Sequence, residues 1–298
     1  MNRRRSLIAV AAAYIVSITV ACGATFGLAQ RSPMGALEAG FFADIIATAA
    51  IFAFSVRHNN SSIYDAYWSV IPPLLGIFWI ATALPDVPIW RACIATVLTT
   101  VWGVRLTYNW AVGWPGMHHE DWRYVRQREL AGRAYWLVSA AGLHLFPTLL
   151  VFAGCIPLWL VTRSAAPFGF FDVAGLVIAT SAIAIETIAD EQLRAFRSED
   201  PPSSSIMNRG LWAWSRHPNY FGELMFWWGL ACFGLAVAPS ALWAIGGALG
   251  MSALFLFISI PMIDKRHLER RPAYAEHQRS VSRLVPLPPR KSPHAPGH

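Results

Sequence analysis

The sequence predicts an all-α, polytopic integral membrane bundle. Only 14% of the 298 residues are charged, whereas soluble chains carry about 25%. The apolar residues gather in runs long enough to cross a bilayer, and the basic residues fall almost wholly on alternate loops. A disordered chain, a soluble nucleic-acid binder and a disulfide-stapled module are excluded by the same composition.

A helical crossing takes roughly 20 apolar residues. Such runs lie at 6–29, 37–56, 64–83, 89–112, 135–162 and 170–190. The run at 219–262 is too long for one crossing and is broken by Ala238-Pro239-Ser240, so it predicts a hairpin of two helices. The expected total is about eight crossings.

With Arg3, Arg4 and Arg5 inside, the outer loops hold Arg31, Arg91 and Arg163, and the inner side holds the other 21 of the 24 basic residues. That asymmetry predicts two cytoplasmic termini and polar loops facing the cytoplasm, as in a bacterial inner membrane. The net charge of +7 is then a topology signal, and no nucleic-acid partner is expected. The opening segment resembles a signal peptide, but its apolar run is long and no A-x-A site follows, so an uncleaved first helix is expected.

The chain divides into N-terminal membrane helices at 1–56, a membrane catalytic domain at 57–288 and a Pro-rich, disordered tail at 289–298. Cys22, Cys93, Cys155 and Cys232 are widely spaced in apolar stretches, which suits packing rather than a disulfide framework or a metal site.

Three constellations carry chemistry. The first is LWAWSRHPNYFG followed by Glu223. Pro218 suits the first turn of a helix. Asn219 and Glu223 then share one face, and Glu223 is a carboxylate one turn into an apolar span. The second is Glu186, Asp190, Arg194 and Arg197, which a helix gathers into about an 80° stripe, acids toward the membrane and bases toward the loop. The third is Lys265, Arg266 and His267, followed by Tyr274, His277, Gln278 and Arg279. With Arg209 and Arg216 these cations would ring a phosphate-binding mouth.

On an inner loop, Ser62-Ile63-Tyr64-Asp65 is nearly a capping box, so Asp65 is either a helix cap or an acid. Another inner loop carries His118, His119, Glu120, Asp121, Arg123 and Tyr124; the histidines lack metal-site spacing and no metal is expected. His144 reads as structural. No G-x-G-x-x-G joins a strand to a helix, so any dinucleotide is held without a Rossmann domain.

SRHPNYFGE, ETIADEQLRAF, the tail KRH with RRPAYAEHQRSVSRLVP, Asp65 in SIYDAYWS and WGVRL around Arg105 resemble the bacterial branch of the steroid 5-alpha-reductase family, over roughly 60–288. Its superfamily also holds isoprenylcysteine and phospholipid methyltransferases and sterol reductases, which share the RHPNY-like stretch. The resemblance implies a membrane enzyme that uses NADPH to reduce the carbon–carbon double bond of an enone lipid, steroid-like or isoprenoid. It carries dinucleotide contacts onto Asp190, Arg194, Arg197, Asn219 and Glu223. Glu186, Arg216, His217, Tyr220, Lys265, Arg266 and Tyr274 complete the expected cofactor set. Animal members place a Tyr where this chain has Trp102, and a Gln-Glu pair on an early helix for which Asp65 is the stand-in.

The expected chemistry is hydride transfer to the β-carbon while an acid polarises the carbonyl. Asp65 and Tyr124 are the candidate catalytic acids; Asp65 would stay protonated if buried among apolar groups. The alternative is an S-adenosylmethionine-dependent methyltransferase, whose cofactor carries no phosphate and would leave several converging arginines without a use. A transporter would need a polar path to the outer leaflet.

Overall fold

The computed structural model describes residues 2–290, and among these the chain is helical with no strands. In order the helices are α1 (Arg3–Ala29), α2 (Ala36–His58), α3 (Tyr67–Ala81), α4 (Trp90–Gly113), α5 (Trp122–Ala131), α6 (Tyr135–Val138), α7 (Phe146–Leu160), α8 (Phe170–Ser198), α9 (Pro218–Val237), α10 (Gly246–Leu254), α11 (Ile260–Arg270) and α12 (Tyr274–Ser280). A π-helical segment, Ser139–Leu145, joins α6 to α7, and another, Phe255–Ser259, joins α10 to α11.

Local chemistry starts these helices where the sequence puts capping groups. Asn2 accepts the Arg5 N–H at 3.0 Å at the head of α1, and Asp121 accepts the Arg123 N–H at 2.9 Å at the head of α5. Asp172 reaches back to the Gly169 N–H at 2.9 Å to start α8. Pro218 opens α9 as its position predicts.

Among the described residues, seven helical stretches are long and apolar enough to cross a membrane: Arg3–Ala29, Ala36–His58, Ser61–Ala81, Trp122–Leu160, Phe170–Ser198, Pro218–Val237 and Leu242–Arg270. The hydropathy runs predict eight. The difference is α4, whose 24 residues form a helix but include Arg91, Arg105, four threonines and Asn109, which dilute its apolar character. At about 36 Å it is long enough to span. The hairpin expected around Ala238-Pro239-Ser240 is present, with α9 ending at Val237.

The chain packs as two compact units: Met1–Pro167 with Phe233–Gly247, and Phe168–Cys232 with Ala248–His298. In the first, α3 and α4 meet through glycines. A Cβ on Gly76 would stand 2.7 Å from Thr96 Oγ1, and one on Gly103 would collide with the Ser69 carbonyl. Small residues permit this approach where lipid offers no hydrophobic drive for helix pairing. Both ends of α4 are tied. Near its start the Arg91 guanidinium donates to Ala166 O and Pro167 O, each at 3.0 Å. At its end Arg3 donates to Ala111 O, Val112 O and Trp114 O at 2.6, 3.1 and 3.0 Å, a cation on the last carbonyls of a helix.

In the second unit α8 and α9 meet at Gly222 and Gly229, two turns apart on one face. A Cβ on Gly222 would lie 2.8 Å from Glu186 Cβ, and one on Gly229 would lie 2.8 Å from Ala179 N. The C-terminal segment is bound alongside residues 214–216: Arg216 N donates to Ser282 O at 2.9 Å, Ser215 Oγ to Leu284 O at 2.6 Å and Leu287 N to Trp214 O at 3.0 Å. Arg290 N donates to Ser280 O at 2.8 Å. Of the tail expected at 289–298 to be disordered, residues 291–298 lie outside the described residues.

Candidate functional site

Each unit holds a cluster of functional side chains. In the first unit the loop before α3 and the loop before α5 are stitched together. Asn60 Nδ2 donates to Met117 O and His119 O, both at 2.9 Å. Ser61 N donates to Glu120 Oε1 at 2.8 Å, and Asp121 N donates to Ser62 Oγ at 2.8 Å. The stitching sets Tyr124 over Asp65: the phenol donates to Asp65 Oδ1 at 2.5 Å, and the Arg123 guanidinium reaches the same oxygen at 3.4 Å. Arg123 is held in turn by Asp121 at 2.7 Å.

The capping reading of Asp65 is therefore corrected. Asn60, not Ser62, caps the short 3-10 turn Ser61–Tyr64, and Asp65 closes that turn with its carboxylate on Tyr124 and Arg123. Ser62 Oγ is taken by Asp121 N, a partner 59 residues away that no local pattern reveals.

The sequence reading passes over Asp44, an acid inside the apolar run 37–56 and 3% exposed. Tyr67 donates to Asp44 Oδ1 at 3.2 Å, and hydroxyl contacts continue through Thr48, Thr148 and Tyr64, the last two 2.8 Å apart. Its signal was present: an ionisable group at membrane depth is a functional candidate by default. His144 fits the structural role expected of it, with Nδ1 at 2.9 Å from Ser139 O and Nε2 at 3.1 Å from Ser55 Oγ. Trp102 is fully buried, edge-on to Trp68.

In the second unit the centre is Asp264, also passed over although it directly precedes the KRH cluster. It accepts from Arg216 Nη1 at 2.8 Å, His217 Nε2 at 3.0 Å and Tyr274 Oη at 2.8 Å. Three expected residues from two separate segments thus converge on one carboxylate of α11. Burial and the adjacent Asp264 push the Tyr274 phenol well above its usual range, which keeps it a donor. Burial, then Arg216, hold the His277 imidazole below its usual value. Arg216 Nε is buried with no hydrogen-bond partner among the described residues.

The other expected residues fall around this centre. Glu186 is buried on α8 against Gly222, and Glu223 accepts the Trp227 indole N–H at 2.8 Å. Arg194 pairs with Glu191 at 2.7 Å, while Arg197 is exposed on the same helix as Asp190. Asn219 and Tyr220 lie in the first turn of α9, with Tyr220 stacked on His217 at 5.7 Å between ring centres. Lys265 is exposed, 4.0 Å from Glu269, and Arg266 follows it on α11. Gln192 accepts the Leu211 N–H at 2.9 Å, and Gly210, at φ 57°, leaves room that a side chain would fill.

The comparisons with known proteins match residues 51–281, a stretch that contains both clusters, to a family described as protein of unknown function. The chain belongs to the DUF1295 family. DUF1295 is a family of membrane proteins related to steroid 5-alpha-reductase-like enzymes. An uncharacterized protein of Schizosaccharomyces pombe is 27% identical over 271 residues, covering 83% of this chain and 78% of that protein. No solved structure matches. The DUF1295 segment begins within α2, so α1 lies ahead of it.

Proposed function

We propose that this DUF1295 protein is an NADPH-dependent reductase of the carbon–carbon double bond of an enone lipid, steroid-like or isoprenoid. The observation that carries the reading is the Tyr124 hydroxyl bonded to Asp65 in a segment framed by membrane helices. With its carboxyl protonated, Asp65 would donate to the phenol oxygen and free the Tyr124 proton for a carbonyl oxygen as negative charge develops on it. Arg123, fixed by Asp121, adds positive potential at the same point.

The second unit supports the cofactor part of the reading. Its donor set suits a phosphorylated dinucleotide: Arg216 has a buried N–H without a partner among the described residues, Arg197 is exposed, and Asn219 lies in the first turn of α9. Arg194, Arg197, Arg216, Lys265 and Arg266 would hold the phosphates, while Asp190, Asn219, Tyr220, Glu223 and Tyr274 would hold the rest. Glu186, sealed beneath Gly222, would fix the α8 face from which these side chains project. A reduced nicotinamide supplies the hydride when bound.

The test is a titration of the purified protein in detergent with NADPH, NADH and S-adenosylmethionine. Saturable NADPH binding that Asn219→Ala or Asp190→Ala weakens is the expected result. Binding of S-adenosylmethionine alone overturns the reading in favour of a methyltransferase. Mass spectrometry of lipid co-purified with the protein would identify the substrate class.

A further inference from the structure

Residues 281–290 run without helix along the turn that leads into α9. Pro286, Pro288 and Pro289 suit an extended chain. Exposure alternates with the two-residue period of such a chain: Ser282, Leu284 and Pro286 are half-buried, while Arg283, Val285 and Leu287 are exposed. The inner row is bonded to the protein. A parallel bridge pairs Ser282 with Ser215; Ser282 O accepts from Arg216 N at 2.9 Å, and Leu284 O accepts from Ser215 Oγ at 2.6 Å.

The outer row is apolar and basic. Val285 is 49% exposed and Leu287 51%, and Leu287 N donates to the carbonyl of Trp214, itself 48% exposed. Arg283 Nη2 donates to Leu256 O at 2.7 Å. Leu256 belongs to the π-helical segment Phe255–Ser259, inside the membrane-crossing stretch Leu242–Arg270. Its neighbours Phe257 and Ile258 are 78% and 54% exposed, an apolar surface suited to lipid. Arg283 therefore ties the segment to a surface at membrane level. Over 277–290 the sequence has Arg279, Arg283 and Arg290 and no acid, and all three arginines are exposed. Tryptophan and aliphatic side chains beside unbalanced arginines suit the membrane–water boundary, where apolar groups enter the headgroup layer and cations meet lipid phosphate.

We propose that residues 281–290 form a strap whose outer face binds anionic phospholipid headgroups. Trp214, Val285 and Leu287 enter the headgroup layer, and Arg279, Arg283 and Arg290 meet the phosphates. The inner face passes this contact to the turn before α9, because the carbonyls that hold Ser215 and Arg216 belong to the strap. A ligand that binds the docked strap and not the released one makes release rarer. Anionic lipid thus regulates the order of the turn that carries Arg216.

The test uses the full chain in nanodiscs, one copy per disc, made of phosphatidylcholine alone or of equal parts phosphatidylcholine and phosphatidylglycerol. Hydrogen exchange is read at the amides of Arg216, Leu287 and Arg290, which the docked strap engages. With phosphatidylglycerol they should exchange about ten-fold more slowly. Arg279→Gln combined with Arg290→Gln, both at exposed positions, should remove most of that difference. Equal exchange in the two lipids overturns the proposal.

A second measurement reads depth. Phospholipid with a spin label on its headgroup should quench tryptophan fluorescence, and Trp214→Phe should reduce the quenched part. Quenching that Trp214→Phe leaves unchanged overturns the placement. Protection that instead rises with protein concentration in lipid-free detergent assigns this face to a second copy of the chain and likewise overturns it. Neither measurement uses a dinucleotide, so both outcomes are independent of the reduction proposed above.

Discussion

The Tyr124 hydroxyl donates to Asp65 Oδ1 across 59 residues of chain, and the segment before α5 is joined to the turn before Asp65 by bonds from Ser61 N to Glu120 and from Asp121 N to Ser62 Oγ. The bond fixes the direction of the phenol against the carboxylate. Replacing the phenol with a phenyl ring removes the donor without changing the shape. Tyr124→Phe should therefore cost about 2 kcal/mol of stability through the lost charge-assisted bond. It should also lower NADPH-dependent turnover about 100-fold. Thermal unfolding in detergent and a cofactor-oxidation assay measure the two effects separately.

Asp264 holds Arg216, His217 and Tyr274 at once. Asp264→Asn leaves the guanidinium of Arg216, whose side chain is 9% exposed, without its carboxylate. Breaking such a pair costs about 3 kcal/mol. Under the proposed function, NADPH affinity falls with it. The unfolding midpoint and the dinucleotide titration, measured on the same preparation, check both.

Glycine positions separate contact from open space. Gly103→Ala places a methyl group on the Ser69 carbonyl where α3 and α4 cross, and should cost about 1–3 kcal/mol. Gly23→Ala on α1 meets nothing within 4 Å and should be neutral or slightly stabilising. Parallel expression yields and melting curves of the two variants test the close packing directly.

His277 lies outside the membrane-spanning stretches, on α12, and its imidazole is held below the ordinary 6.5 by burial and then by Arg216. The folded protein therefore disfavours the charged form. Its contribution to stability is fully present above the unfolded-state value and is lost as pH falls through the lower folded-state value. His277→Gln should flatten the decline of the unfolding midpoint below about pH 6.5 relative to the parent protein. Parallel slopes for the two proteins would disprove it.

The helical elements were legible because bilayer thickness fixes run length and because caps act locally. Pro218 at the head of α9 and the break at Ala238-Pro239-Ser240 needed nothing beyond neighbouring residues. The run at 89–112 also forms a helix, and its arginines and threonines explain why it is less apolar than the other seven stretches. Asp65 was legible as a residue of interest but not as what it is. Its partners are Tyr124 and Arg123, and the capping role read into Ser62 belongs to Asn60. Asp44 and Asp264 obey the same rule that singled out Glu223, a carboxylate within an apolar span, yet neither stands in a recognisable motif.

The sequence by itself determined that the chain is a membrane-embedded helical protein, where most helices start and stop, and which few charges interrupt the apolar surface. These properties depend on runs of residues and on contacts within a turn or two. Only the tertiary structure decided which of those charges meet. Hydrogen bonding is short-ranged and directional, so Tyr124 finds Asp65, and Asp264 gathers Arg216, His217 and Tyr274, only once packing has brought distant segments within about 3 Å.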